Sequence, residues 1–257
     1  MFIRIIFLLM TTVLSYSLIN NPIVSYTNKL GNLPEIRVME PKNLIKAESA
    51  CLVFFTGGSS IIMPDVYDDF LNKLASNNIS IYTPTFKYSN IHKLITELDK
   101  NYKEVILAGH SSGCSIAIEH SNEDVIKKLI LLDPVKTDVL GTDKYNLQNL
   151  ESILFLNAQK SYKWSLFPFG IPFVPDFLRI EKEDLDISKD CKIVNCLAED
   201  FGHCDILDNK FSEQMHNSRL ALGNKDRSDE NMEKYHTWSA NVINNYLKDQ
   251  KIKNKKY

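Results

Sequence analysis

The stretch Val105-Ile106-Leu107-Ala108-Gly109-His110-Ser111-Ser112-Gly113 decides the fold class. An apolar run of strand length enters Gly109-His110-Ser111-Ser112-Gly113, which fits G-x-S-x-G, and residues 114–120 then continue as a helical stretch. Strand, tight turn and helix in that order form the context that a nucleophile elbow requires. Glycines two before and two after the serine let strand and helix approach closely around a strained turn. Such a turn lifts the Ser111 hydroxyl clear of the sheet at a helix N-terminus, where unpaired N–H groups and the helix dipole favour negative charge. G-x-S-x-G also recurs by chance, so an ordinary Gly/Ser turn is the alternative.

Outward from the elbow, short apolar runs alternate with amphipathic stretches. Strands are expected at 35–39, 51–55, 79–82, 104–108, 128–132, 152–156 and 192–197, and helices at 65–76, 91–102, 112–121 and 231–247. Several strands are continuously apolar, as expected where helices cover both faces of a parallel sheet. The expectation is an α/β chain with a mostly parallel, doubly wound sheet flanked by helices. With 257 residues, 44% hydrophobic and 24% charged, the composition is that of a globular protein, not of a disordered or multispan membrane chain. A net charge of −2 gives no general attraction for nucleic acid, and none is expected as a partner. The basic cluster in 248–257 reads as a solvated tail.

A serine hydroxyl is a weak nucleophile at neutral pH and needs a base, and the base needs an orienting group. In the α/β-hydrolase arrangement the histidine comes last, after the final strand. His203 follows the last expected strand and is the candidate base, ahead of His92, His110, His120, His216 and His236. The strand at 152–156 ends in Asn157-Ala158-Gln159-Lys160 without a carboxylate, whereas the strand after the elbow ends in Leu132-Asp133-Pro134. Asp133 is therefore the candidate acid, at the sheet edge where such sites assemble, with Asp138, Glu199 and Asp200 as fallbacks. The oxyanion donors are expected to be the N–H groups of Ser112 and of Gly58, the latter in Thr56-Gly57-Gly58-Ser59-Ser60.

Together these motifs resemble the chlorophyllase family of the α/β-hydrolase superfamily, near platelet-activating-factor acetylhydrolases and some lipases. The resemblance rests on Gly109-His-Ser-Ser-Gly113, Leu132-Asp133-Pro134-Val135 and Gly202-His203-Cys204-Asp205-Ile206-Leu207-Asp208. It implies an α/β-hydrolase fold and ester hydrolysis, with Ser111 as nucleophile, Asp133 as acid and His203 as base. The family's acid likewise follows the strand after the elbow. Three positions depart from the family: Thr56 where His is usual, Ser112 in place of Arg, and Lys136 in place of a second Asp. A lipase or general carboxylesterase uses the same three residues, and a non-catalytic protein of this fold would normally lack one of them.

Residues 161–178 read SYKWSLFPFGIPFVPDFL, with three prolines and six aromatics. The prolines exclude a regular helix or central strand. The segment either packs its own aromatics on the core or forms a flap in which Trp164, Phe167, Phe169 and Phe173 line an apolar substrate pocket. A surface for transient lipid contact is a third reading. At the other end, residues 1–17 carry Arg4, an apolar core too short to span a bilayer and small residues at Ser15 and Ser17. They read as a cleaved secretory signal before one domain at 18–257, with an uncleaved anchor or a first buried strand or helix as alternatives. Secretion and organelle targeting (a plastid included) both stay open. Five cysteines in no zinc-like spacing suggest neither a disulfide framework nor a structural metal, and the chemistry expected needs no cofactor.

Overall fold

The computed structural model describes residues 23–28, 36–85, 90–137, 144–161, 178–217, 223–224, 226–250 and 252, with only the backbone for 24–28. The expected signal, the four aromatics of the excursion, Asp138 and most of the basic tail lie outside these residues.

Ten strands and five α-helices alternate among the described residues. They run β1 Ile23–Asn28, β2 Ile36–Pro41, β3 Ala50–Phe55, α1 Asp68–Ala75, β4 Ser80–Pro84, α2 Ile91–Asp99, β5 Glu104–His110 and α3 Gly113–His120. Then follow β6 Lys128–Leu132, β7 Tyr145–Leu147, β8 Ser152–Ala158, β9 Leu185–Ile187, β10 Lys192–Ala198, α4 Asn209–Asn217 and α5 Asp229–Leu247. Eight strands form one sheet in the order β1-β2-β4-β3-β5-β6-β8-β10, with every pair parallel except β1–β2 and β2–β4, while β7 and β9 pair separately.

The continuously apolar strands are explained by two cores. Leu52, Phe54, Ile106, Ala108, Ile130 and Leu132 face one side, against Phe70, Leu71 and Leu74 of α1 and Tyr235, Val242 and Ile243 of α5. Val53, Phe55, Val105, Leu107, Leu129 and Leu131 face the other, against Leu94 and Ile95 of α2 and Ala117 and Ile118 of α3. Residues of alternating parity serve opposite faces, and both faces are dry.

Several local expectations shift. The helix expected at 65–76 begins as a 3-10 turn, Pro64–Tyr67, and that expected at 91–102 stops at Asp99. Tyr102 instead turns its hydroxyl to Ser80 Oγ at 3.0 Å. Three strands lie outside the expected set: β7 and β9 are three residues long, too short for a period, and β1 is an edge strand paired antiparallel to β2. Nor was α4 expected, since NKFSEQMHN buries only Ser212 and presents little apolar pattern.

Strand order reverses around β3: α1 carries the chain outward to β4, and α2 brings it back to β5 on β3's other side. Crevices beyond the strand ends form at such a reversal. It sets the loops after β3 and β5 side by side, with Phe55 paired to Gly109. The loop after β10 is tied to the start of α1, because the Asp208 N–H donates to Val66 O at 2.7 Å and the Asp69 N–H to Asp208 Oδ1 at 2.9 Å.

Burial, reinforced by the neighbouring Asp69 charge, pushes the Asp208 carboxyl up to about 7. A raised native pKa favours the protonated fold, so this contribution is full below the ordinary carboxyl value of about 4 and is lost as pH rises through about 7. Asp208→Asn keeps an oxygen for the Asp69 N–H without the charge. Its melting temperature should rise relative to the parent's between pH 4 and 7 and stay offset above; equal pH slopes for the two proteins would contradict this.

Candidate functional site

The turn after β5 places Ser111 at φ +57°, a left-handed conformation that costs a non-glycine residue about 1–3 kcal/mol. The turn is held from three directions. The Ser111 N–H donates to Leu132 O at 3.0 Å, and its carbonyl accepts from Cys114 N–H at 3.0 Å and Val135 N–H at 3.2 Å. A Cβ on Gly109 would fall 2.5 Å from the Gly113 backbone, and one on Gly113 would fall 2.3 Å from Phe55 O. The two glycines are therefore required by contact.

His203 lies 92 residues further on, yet its Nε2 is 2.8 Å from Ser111 Oγ. Its Nδ1 is 3.0 Å from Asp133 Oδ2, which fixes the tautomer: Nδ1–H donates to the carboxylate and Nε2 is left to accept from the serine hydroxyl. His203 and Asp133 are both buried, at 4% and 3% exposure, so the pair sits out of bulk water. Asp133 Oδ1 accepts from Ala158 N–H at 3.0 Å, and Oδ2 also accepts from the Ser161 hydroxyl. Burial alone would raise the Asp133 carboxyl. Its interactions with His203, Ser161 and Ala158 outweigh burial and hold it below the usual carboxylate range.

The loop after β3 has three successive left-handed residues, Gly58 (φ +59°), Ser59 (+53°) and Ser60 (+62°). Most of its N–H groups are committed: Gly57 to Tyr67 Oη, Ser59 to Ser112 Oγ at 2.7 Å, Ser60 to Thr56 O, Ile61 to Gly58 O and Ile62 to Gly57 O. The N–H groups of Gly58 and Ser112 have no acceptor among the described residues.

All five residues expected at the chemical centre are thus brought to one sheet edge. Of the fallback acids, Asp200 is exposed and pairs with Lys160 at 3.3 Å, while Asp133 occupies the position at His203 Nδ1. Among the rival histidines, His236 binds Asp205 O, His120 stacks on Phe55 and His92 pairs with Glu123. Three contributors were not read from the sequence. Ser161 opens the aromatic excursion, Tyr67 ends a 3-10 turn, and the Ser112 side chain tethers the neighbouring loop. No local pattern connects them to their partners.

Solved structures similar to this chain include esterases. A thermostable esterase from Pseudomonas putida superposes with a TM-score of 0.54 at 12% identity, covering 88% of this chain and 83% of its own. An esterase from Pyrobaculum calidifontis gives 0.53 at 12% identity, with 88% and 86% covered. An arylesterase gives 0.52 at 11% identity, with 93% and 89% covered. The fold is that of the α/β hydrolases. Neither the protein-family models nor the curated proteins yielded a match to the sequence. Within this α/β-hydrolase fold, the acid candidate stands after β6, the strand that follows the elbow, and not after β8.

Gly113→Ala tests the contact on which the elbow rests. The added Cβ meets rigid backbone at Phe55 and Thr56, so a loss of about 3 kcal/mol or more is expected. A chemical-denaturation midpoint equal to the parent's would contradict the close approach.

Proposed function

We propose that this protein is a serine hydrolase that cleaves carboxylic esters of apolar substrates through an acyl-enzyme. The observation that carries the reading is the series Ser111 Oγ, His203 Nε2, His203 Nδ1 and Asp133 Oδ2, with separations of 2.8 and 3.0 Å. In this reading Ser111 attacks the ester carbonyl as His203 takes its proton. Asp133 holds the imidazole tautomer and stabilises the imidazolium that forms. The unpartnered N–H groups of Gly58 and Ser112 receive the developing oxyanion, and α3, beginning at Gly113, adds its N-terminal dipole. His203 then gives the proton to the leaving alcohol and later activates the water that releases the acid. The proposal assigns no role to metal or cofactor.

Apolar substrate preference is supported by Ile61 and Met63, which stand 46% and 42% exposed on the loop that carries Gly58. The aromatics Trp164, Phe167, Phe169 and Phe173 are proposed as further lining of the same pocket, with transient lipid contact as substrate is collected. A chlorophyllase-like phytyl-ester hydrolase is the narrower version. It is favoured by the Gly202–Asp208 block and by the acid's place after β6, and weakened by Thr56, Ser112 and Lys136. Lys136 pairs with Asp184 at 2.7 Å. Residues 1–17 are proposed to direct the chain into the secretory pathway.

Ser111→Ala should abolish both ester turnover and labelling by a fluorophosphonate probe while the protein melts as before; turnover that survives would exclude the assignment. Asp133→Asn should lower kcat by about 10³–10⁴-fold, because the amide favours the wrong His203 tautomer. Parallel assays on chlorophyll, a triglyceride and a graded series of p-nitrophenyl esters distinguish the phytyl-ester version from a lipase or general carboxylesterase. Preference for the shortest acyl chains would count against an apolar pocket.

A further inference from the structure

Beside the loop after β3 lies a buried polar pair that the proposed chemistry leaves unused. Tyr67 is fully buried and His110 is 2% exposed. The His110 Nε2 is 3.0 Å from the carbonyl oxygen of His203, and its Nδ1 is 2.8 Å from Tyr67 Oη. The Tyr67 oxygen in turn lies 3.0 Å from the Gly57 N.

The directions of these bonds are determined. A carbonyl only accepts, so His110 Nε2 carries the hydrogen and Nδ1 is the acceptor. Tyr67 O–H therefore donates to Nδ1, and the Tyr67 oxygen accepts the Gly57 N–H. The series starts at the residue before the expected oxyanion donor Gly58, passes through the residue before Ser111, and ends on the backbone of His203. Burial holds His110 down to about 3, so the ring stays neutral and keeps this donor–acceptor order at any working pH. Its ring lies 4.8 Å from the His203 ring, and Tyr67 is seated edge-on against Phe54 at 5.3 Å.

We propose that Tyr67 and His110 are positioning residues, forming a neutral hydrogen-bond relay that holds the oxyanion loop and the His203 loop at a fixed separation across Ser111. The proposal rests on the ester-hydrolase reading of this site. Neither side chain hydrogen-bonds to a reacting atom. Tyr67 acts through the Gly57 backbone, and His110 through the His203 backbone and the packing of its ring on the His203 ring. A displacement of a fraction of an ångström there weakens transition-state contacts more than ground-state binding.

The test uses Tyr67→Phe, His110→Leu and His110→Gln, with a p-nitrophenyl ester as substrate and a trifluoromethyl ketone as a tetrahedral analogue. Tyr67→Phe and His110→Leu should each lower kcat about tenfold or more with KM within about twofold, and weaken the ketone by a similar factor. The double variant should be no worse than the poorer single one, since one break already interrupts the relay. His110→Gln, which retains an N–H able to reach the His203 carbonyl, should recover part of kcat. Thermal melts identify variants that fail to fold, and Tyr67→Phe, which removes a single oxygen, carries the test if His110→Leu does not fold. Wild-type kcat in Tyr67→Phe, losses confined to KM, or additive losses in the double variant would overturn the relay. Ser111→Ala separates the two levels: if it is inactive while the relay variants are unimpaired, the hydrolase reading stands and the relay falls. If Ser111→Ala itself retains turnover, the hydrolase reading falls first.

Discussion

The first residue of α3 touches the end of β3 so closely that a single methyl group on Gly113 would fall 2.3 Å from the Phe55 carbonyl oxygen. Much of the site geometry follows from that approach. It lets α3 begin directly beside the loop after β3, so the Ser112 side chain can accept the Ser59 N–H at 2.7 Å. It also forces the reversal between β5 and α3 into two residues, and Ser111 absorbs the reversal at φ +57°. The strain is sustained because the surroundings over-determine the turn, with hydrogen bonds from Ser111 to Leu132 at the end of β6 and to Val135 just beyond it.

A second constraint is electrostatic. Asp133 is a nearly inaccessible carboxylate, and an ion in such a place persists only when its oxygens are hydrogen-bonded. Its donors come from three separate parts of the chain: the end of β8 through Ala158, Ser161 just beyond it, and His203 after β10. Asp133 itself sits at φ +47°, its N–H bonded to Leu156 O, so the turn after β6 directs the carboxylate toward β8. Asp133 after β6 can meet His203 after β10 because β8, the strand between them, supplies the Ala158 N–H to the carboxylate.

The loop carrying His203 has its own buried anchor. Asp205 accepts from the N–H groups of Gly202 and Asn224 and from Arg227 and Ser212, and a Cβ on Gly223 would collide with its carboxylate. The Gly202–Asp208 run read from the sequence as a signature around a base is therefore two structures in one. His203 faces Ser111, whereas Asp205, two residues later, faces away and ties the loop to the segment before α5. The signature's spacing was visible, but the division of labour within it was not.

Residue order alone carries the alternation of most strands and helices, the elbow at Gly109–Gly113, and Ser111, Asp133, His203, Gly58 and Ser112 as candidates. These depend on local period, on glycines flanking a serine and on carboxylate or histidine following a strand, all of which are short-range patterns. It takes the folded chain to show that Asp133 and not Asp200 meets His203 Nδ1, that Ser161 and Ala158 hold Asp133, and that Tyr67 and His110 join two loops. Short β7 and β9 and the weakly apolar α4 belong with them, since β7 and β9 are held by their mutual pairing and α4 by partly buried Phe211 and Met215 against the core. The physical reason is range. Propensity and periodicity act over one or two turns of chain, whereas a hydrogen bond between residues as distant as Ser111 and His203 exists only after the sheet has set its strand order.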